Sequence, residues 1–146
     1  MANAARAIRS VLFVCNMNSI RSPMGAALLR ARAPGLRVDS AGVYEGALDP
    51  FVEGILAETM TPLAPYEPKA MDDVDVSAFD LAIAMTPEAA GAARRLMPAD
   101  RVEFWSIDNP TDARGDDAAL SAAYRAARDD LAAKIDARFA DFIEKS

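Results

Sequence analysis

Val11-Leu-Phe-Val-Cys15-Asn-Met-Asn-Ser-Ile-Arg21-Ser22-Pro23 is the stretch whose reading decides the fold. The apolar run from Val11 to Val14 predicts a buried strand. The segment from Pro23 to Arg32, with Met24, Ala26, Ala27, Leu28 and Leu29, predicts a helix. A polar segment therefore carries the chain from a strand end to a helix start. Backbone N–H groups at such a junction converge and bind anions. The same field favours a thiolate over a thiol. A cysteine, an anion cradle and the guanidinium of Arg21 together make a site suited to attack on phosphorus.

Outward from this stretch, strands and helices alternate. Further strands are predicted at Arg37–Asp39, Leu81–Met85 and Val102–Trp105. Further helices are predicted at Pro50–Met60 and Pro87–Leu96, each opening on proline, where the missing N–H costs nothing. A long amphipathic helix is predicted over Asp116–Ile143. Its stripe of Leu120, Tyr124, Ala127, Leu131, Ile135, Phe139 and Phe142 reads as core. The segments Thr61–Asp80 and Ile107–Gly115 read as loops. This order predicts an α/β fold: a four-stranded parallel sheet with helices on both faces, a three-layer sandwich. In such sheets ligands bind beyond the carboxyl ends of the strands. Cys15 ends the first strand and Asp108 to Asp112 follow the fourth, so both belong to one rim. With no internal repeat and no composition break, residues 1–146 read as one domain, with residues 1–9 a flexible lead.

The totals bound the function. A chain of 146 residues with 52% apolar content can bury a substantial core. No apolar run reaches the roughly 18 residues of a membrane span, and the start is too short in apolar residues for a signal peptide. The net charge of −6 argues against nucleic acid as a partner. A single cysteine permits no internal disulfide and fits a reducing cytoplasm. The complete absence of histidine excludes Ser-His-Asp and Cys-His catalysis and histidine zinc sites. A nucleophilic Cys15 must then be activated by the helix N-terminus, by Arg21 and by a nearby hydroxyl.

Each residue of the junction has a role to fill. Arg21 offers a planar fork that matches two oxygens of a phosphoryl group. Ser22 is either an ordinary N-cap or a hydroxyl donor to the Cys15 thiolate. Asn18 tolerates left-handed backbone and braces the loop through its side chain. Asn16, Met17, Ser19 and Ile20 offer mainly backbone N–H groups.

Cys15-x5-Arg21-Ser22-Pro23 between a strand and a helix resembles the low-molecular-weight protein tyrosine phosphatases and the related thioredoxin-type arsenate reductases. Val38-Asp39-Ser40-Ala41-Gly42, Asp80-Leu-Ala-Ile-Ala-Met85 and Trp105-Ser-Ile-Asp-Asn-Pro110 extend the resemblance over most of the chain, in family order. The resemblance implies a cytoplasmic phosphatase acting on phosphotyrosine protein or a related phosphomonoester, with no metal and no cofactor. It implies Cys15 as nucleophile, Arg21 as phosphate clamp and Ser22 as thiolate donor. The phosphate loop would run through Asn16, Met17, Asn18, Ser19, Ile20 and Ser22. It also implies an aspartic acid that protonates the leaving oxygen and later activates water.

Three positions depart from the pattern. Aligned on Pro110, the acid position holds Asn109, whose amide is no acid. Asp108 precedes it and is taken as the acid, with Asp112 also on this loop; the alternative makes both of them turn and cap residues. Ile20 stands where many members carry a second cysteine. Ser19 stands where tyrosine-selective members carry a bulky apolar residue. Two other readings follow: an arsenate reductase served by an external thiol, and a phosphate-binding protein with weak turnover because of Asn109. Tyr44 and Tyr66 are candidates for a pocket wall, with a surface or half-buried role as the alternative. Trp105 reads as packing at the end of the fourth strand. Oligomeric state is not legible.

Overall fold

The computed structural model describes residues 7–63 and 66–143. Strand β1, Ser10–Cys15, is buried along its whole length. Its side chains alternate between two cores, as strand geometry requires. Val11, Phe13 and Cys15 join one core with Met24, Leu28, Leu131 and Phe139. Leu12 and Val14 join the other with Met71, Phe79, Ala89 and Met97. A continuous apolar run is what a strand covered on both faces must be.

The sheet order is β2-β1-β3-β4 and every pairing is parallel. Strand β2 is Arg37–Gly42, β3 is Leu81–Ala84 and β4 is Val102–Phe104. The four-stranded parallel sheet with helices on both faces is as the sequence predicts. Helix α1, Arg21–Arg32, α2, Val52–Ala57, and α4, Asp117–Arg138, supply the core on the Cys15 face. Helix α3, Pro87–Arg94, lies on the other face, where Ala89, Ala90 and Ala93 meet Ala82 and Ala84 of β3.

Several boundaries differ from expectation. β2 runs three residues further, because Ser40, Ala41 and Gly42 pair in register with Phe13, Val14 and Cys15. Small residues with weak strand propensity are held there by their neighbour. α4 ends at Arg138 rather than Ile143; Phe139 leaves the helix and a 3-10 turn, Ala140–Phe142, follows. The stripe is core as expected: Tyr124, Ala127, Leu131, Ile135 and Phe139 are buried. The segment read as the loop Thr61–Asp80 holds two 3-10 turns, Met71–Asp73 and Val76–Ala78, that bury Met71 and Val76. Of the expected flexible lead, residues 1–6 lie outside the described residues. Ile8 packs against the core, and the Arg9 N–H donates to Asp80 Oδ2 at 2.8 Å.

Candidate active site

β1 delivers Cys15, 3% exposed, to the rim of the sheet. Beyond it the chain must turn within five residues into α1. It does so through Asn18, whose φ of 53° is left-handed. Asparagine reaches that region more readily than most residues. Its side chain then fixes the turn. Asn18 Nδ2 donates to Ser22 Oγ at 2.8 Å, and Asn18 Oδ1 accepts from the Lys69 N–H at 3.0 Å. The Asn18 carbonyl accepts from the Tyr66 hydroxyl. The expectation that Asn18 braces this loop holds in both respects.

Ser22 is not an N-cap. It lies inside the first turn of α1, whose cap position is Ile20 with no side-chain bond. Its hydroxyl sits 3.0 Å from Cys15 Sγ and 3.3 Å from the Ala41 carbonyl. Asn18 donates to this oxygen, so its single proton goes either to the Ala41 carbonyl or to the nearer sulfur. A thiolate cannot donate, so with ionised Cys15 the serine is the donor.

The remaining loop residues are held from outside. Thr86, the N-cap of α3, donates its hydroxyl to Asn16 Oδ1 at 2.6 Å. The Asn16 side chain thus joins the loop to α3, a tie that sequence reasoning missed. The Val43 and Tyr44 N–H groups donate to the Cys15 and Asn16 carbonyls. This close approach explains Gly42: a Cβ there would lie 2.7 Å from Asn18 N and 2.8 Å from the Asn16 carbonyl. Ile20 is buried in the core, and Met17 is 46% exposed at the rim. Among the described residues, the backbone N–H groups from Asn16 to Ser22 have no protein acceptor. N–H groups without a protein acceptor are what a donor cradle at the strand-to-helix junction requires.

A cavity of about 380 Å³ opens over Cys15. Arg21 lines it, with Nη1 anchored on the Ile107 carbonyl at 3.1 Å. Ser19, Asp49, Asn109 and Thr111 line it too. The structure does not bring Asp108 or Asp112 to this cavity. Both face a separate cleft of about 550 Å³ against Ala123, Ala127 and Asp130 of α4. Asn109 has extended backbone, so its neighbour Asp108 points the opposite way. Asn109 Oδ1 accepts from the Thr111 N–H at 3.0 Å and its hydroxyl at 2.8 Å, which closes the turn.

Tyr66 is half-buried and supports the loop from behind rather than walling the cavity. Burial, and the charge of Cys15 nearby, push its hydroxyl up to about 12. Tyr44 is exposed and donates to Glu88 at 2.6 Å. Trp105 packs edge-on against Phe13, at 6.1 Å between ring centres, as expected. Among the described residues, no group of three or more acidic or cysteine side chains could hold a metal ion. No described helix is long and apolar enough to cross a membrane.

This geometry can be set beside known proteins. Residues 10–144 match the model of the family described as low molecular weight phosphotyrosine protein phosphatase. The chain belongs to that family. A probable low molecular weight protein-tyrosine-phosphatase, EpsP of Ralstonia solanacearum, is 34% identical over 119 residues, covering 70% of this chain and 79% of the relative. Etp of Escherichia coli K12, of the same description, is 32% identical over 92 residues, 61% of this chain and 62% of the relative. These low molecular weight phosphatases are phosphoric monoester hydrolases, and this chain is an enzyme of that class. The crystal structure of the Erwinia amylovora tyrosine phosphatase amsI covers 97% of each chain, with a TM-score of 0.77 at 20% identity. An arsenate reductase in its phosphate-binding state covers 92% of this chain and 99% of its own, at a TM-score of 0.72 and 17% identity. At those identities the two structures speak for the fold alone.

Proposed function

We propose that this low molecular weight phosphatase hydrolyses phosphotyrosine protein or a related phosphomonoester in the cytoplasm through a cysteinyl-phosphate intermediate. The observation that carries the reading is the Ser22 hydroxyl 3.0 Å from Cys15 Sγ, beside N–H groups from Asn16 to Ser22 that have no protein acceptor among the described residues. Three outer oxygens of a phosphoryl group would take those donors and the Arg21 guanidinium. Cys15 sulfur attacks phosphorus, the bond from phosphorus to the ester oxygen breaks, and the electron pair leaves with that oxygen. Water then attacks phosphorus and the pair of the P–S bond returns to sulfur, where Ser22 stabilises it.

Asn109 in the cavity bears on the choice of substrate. With no acid from this loop, the first step favours leaving groups that depart well without a proton, as phenols do better than alkanols. The small Ser19 on the cavity wall leaves room beyond the phosphate, which favours the broader phosphomonoester class over strict tyrosine selectivity.

The test is p-nitrophenyl phosphate turnover by the natural chain and by Cys15→Ser, with acid-quenched samples assayed for phosphate bound to protein. Turnover and trapped phosphate are expected in the natural chain, and neither in Cys15→Ser. Arsenate with an added thiol forms the second arm. Reduction of arsenate without phosphate ester hydrolysis overturns the reading in favour of the reductase. Anion binding without either reaction overturns it in favour of a binding protein.

A further inference from the structure

Asp108 and Asp112 line a different cleft, yet one acidic residue does line the cavity over Cys15. Asp49, between β2 and α2, shares that wall with Cys15, Arg21, Asn109 and Thr111. No other Asp or Glu among the described residues lines it.

The position of Asp49 is fixed from three sides. Its N–H donates to the Ser19 carbonyl at 3.2 Å, which pins it to the phosphate loop itself. Its Oδ1 accepts from the Phe51 N–H at 2.8 Å. Its Oδ2 accepts from the Tyr124 hydroxyl at 2.6 Å, a contact reaching in from α4. Burial and the Asp49 carboxylate push the Tyr124 hydroxyl above its ordinary range, so Tyr124 stays protonated and remains the donor. A carboxylate has about four acceptor positions. Phe51 and Tyr124 fill two of them, and two remain. A fixed acceptor beside a cavity that admits water is what proton abstraction from water needs.

We propose that Asp49 is the general base for hydrolysis of the cysteinyl-phosphate, an inference that rests on the covalent mechanism above. Water attacks phosphorus, its proton passes to Asp49, and the P–S bond pair returns to Cys15 as a thiolate. Inorganic phosphate leaves, and Asp49 loses the proton to solvent. The family's usual carboxylate position is Asn109 here, so the second step draws on a different segment of the chain.

Asp49 also starts the turn into α2, so the test uses variants that keep a turn acceptor. Asp49→Asn and Asp49→Ser are each mixed with p-nitrophenyl phosphate in rapid-quench experiments. Formation of the phosphoenzyme stays within about threefold of the natural chain. Its hydrolysis slows by roughly 10²–10⁴-fold, so a burst of nitrophenol appears and phosphate accumulates on the protein. Added formate restores hydrolysis in Asp49→Ser, which a merely structural role does not predict. Hydrolysis at the natural rate in either variant overturns the proposal. So does an equal loss in both steps with no accumulated phosphoenzyme and no response to formate. If the natural chain itself forms no phosphoenzyme, and Cys15→Ser still turns over, the covalent mechanism fails and takes this proposal with it.

Discussion

Two loops meet at the rim of the sheet, and they are built on opposite plans. The loop from Asn16 to Ser22 is held through buried polar side chains. Asn18 and Ser22 are fully buried, and ties arrive from Thr86, Lys69, Tyr66 and Asp49. The segment from Asp108 to Gly115 is largely exposed and closes on itself through Asn109 and Thr111. Its start is joined to the first loop through Arg21 and the Ile107 carbonyl. A group that must bind a multiply charged anion is preorganised at the cost of many buried hydrogen bonds. A segment that meets the rest of the substrate needs no such bracing, and its residues can differ without disturbing the cradle.

Asn109→Asp sharpens this contrast most. It restores an acid on the cavity side of the exposed loop. Turnover of poor leaving groups such as alkyl phosphates is expected to rise by up to roughly 10²-fold, with a much smaller change on p-nitrophenyl phosphate. Steady-state kinetics across a series of leaving groups measures this as a flatter dependence of kcat/KM on leaving-group acidity. An unchanged slope means that position 109 does not reach the ester oxygen.

Asn18→Ala breaks the first loop. It leaves the Lys69 N–H without an acceptor and places alanine at a left-handed φ, so stability falls by about 1–3 kcal/mol. Phosphate affinity falls with it. Denaturant unfolding and inhibition by phosphate check the two effects separately. Loss of stability with unaltered phosphate binding would detach the cradle from its brace.

Tyr66 reads the same brace through pH. Its folded-state value near 12 lies above the ordinary 10, so its contribution is complete below pH 10 and is lost as pH rises toward about 12. Alkaline spectrophotometric titration should find late-ionising tyrosines, of which Tyr66→Phe removes one while Tyr124, also held above its ordinary range, remains. The Cys15 charge adds to burial here, so Cys15→Ser should titrate Tyr66 slightly earlier.

The smallest effect is expected in the other loop. Thr111→Ala removes one exposed turn bond to Asn109 and should change stability by less than about 0.5 kcal/mol. Thermal unfolding checks it. A large loss would show that the exposed loop is braced after all, and the contrast between the two would disappear.

The first loop was legible because its chemistry is local. Cys15, Asn18, Arg21 and Ser22 lie within one strand-to-helix turn, so their proximity follows from that turn. Ser22 keeps two readings in the sequence, cap or thiolate donor, and the start of α1 one residue before it, at Arg21, removes the cap. The sheet was legible because alternation of apolar segments sets its parallel order, although β2 hid its last three residues in a Ser-Ala-Gly run. The braces were not legible. Thr86, Lys69 and Tyr66 stand 48 to 70 residues from their partners in sequence. Asp49 looked like an ordinary residue before Pro50 at a helix start. No local pattern states that it would face Cys15 or meet Tyr124 from α4.

By itself, then, the order of residues determined a parallel α/β sheet and a strand-to-helix turn that brings Cys15, Asn18, Arg21 and Ser22 together. Each of these is set by neighbours within a turn or a strand, where backbone geometry alone fixes who meets whom. Tertiary structure decided which acidic residue lines the cavity over the sulfur. Asp108 and Asp49 are both acidic and both near a rim, but side-chain direction at a loop depends on the packing of α4 and the phosphate loop around it. Asp108 lines the cleft against α4 and Asp49 lines the cavity over Cys15, and only the folded chain distinguishes them.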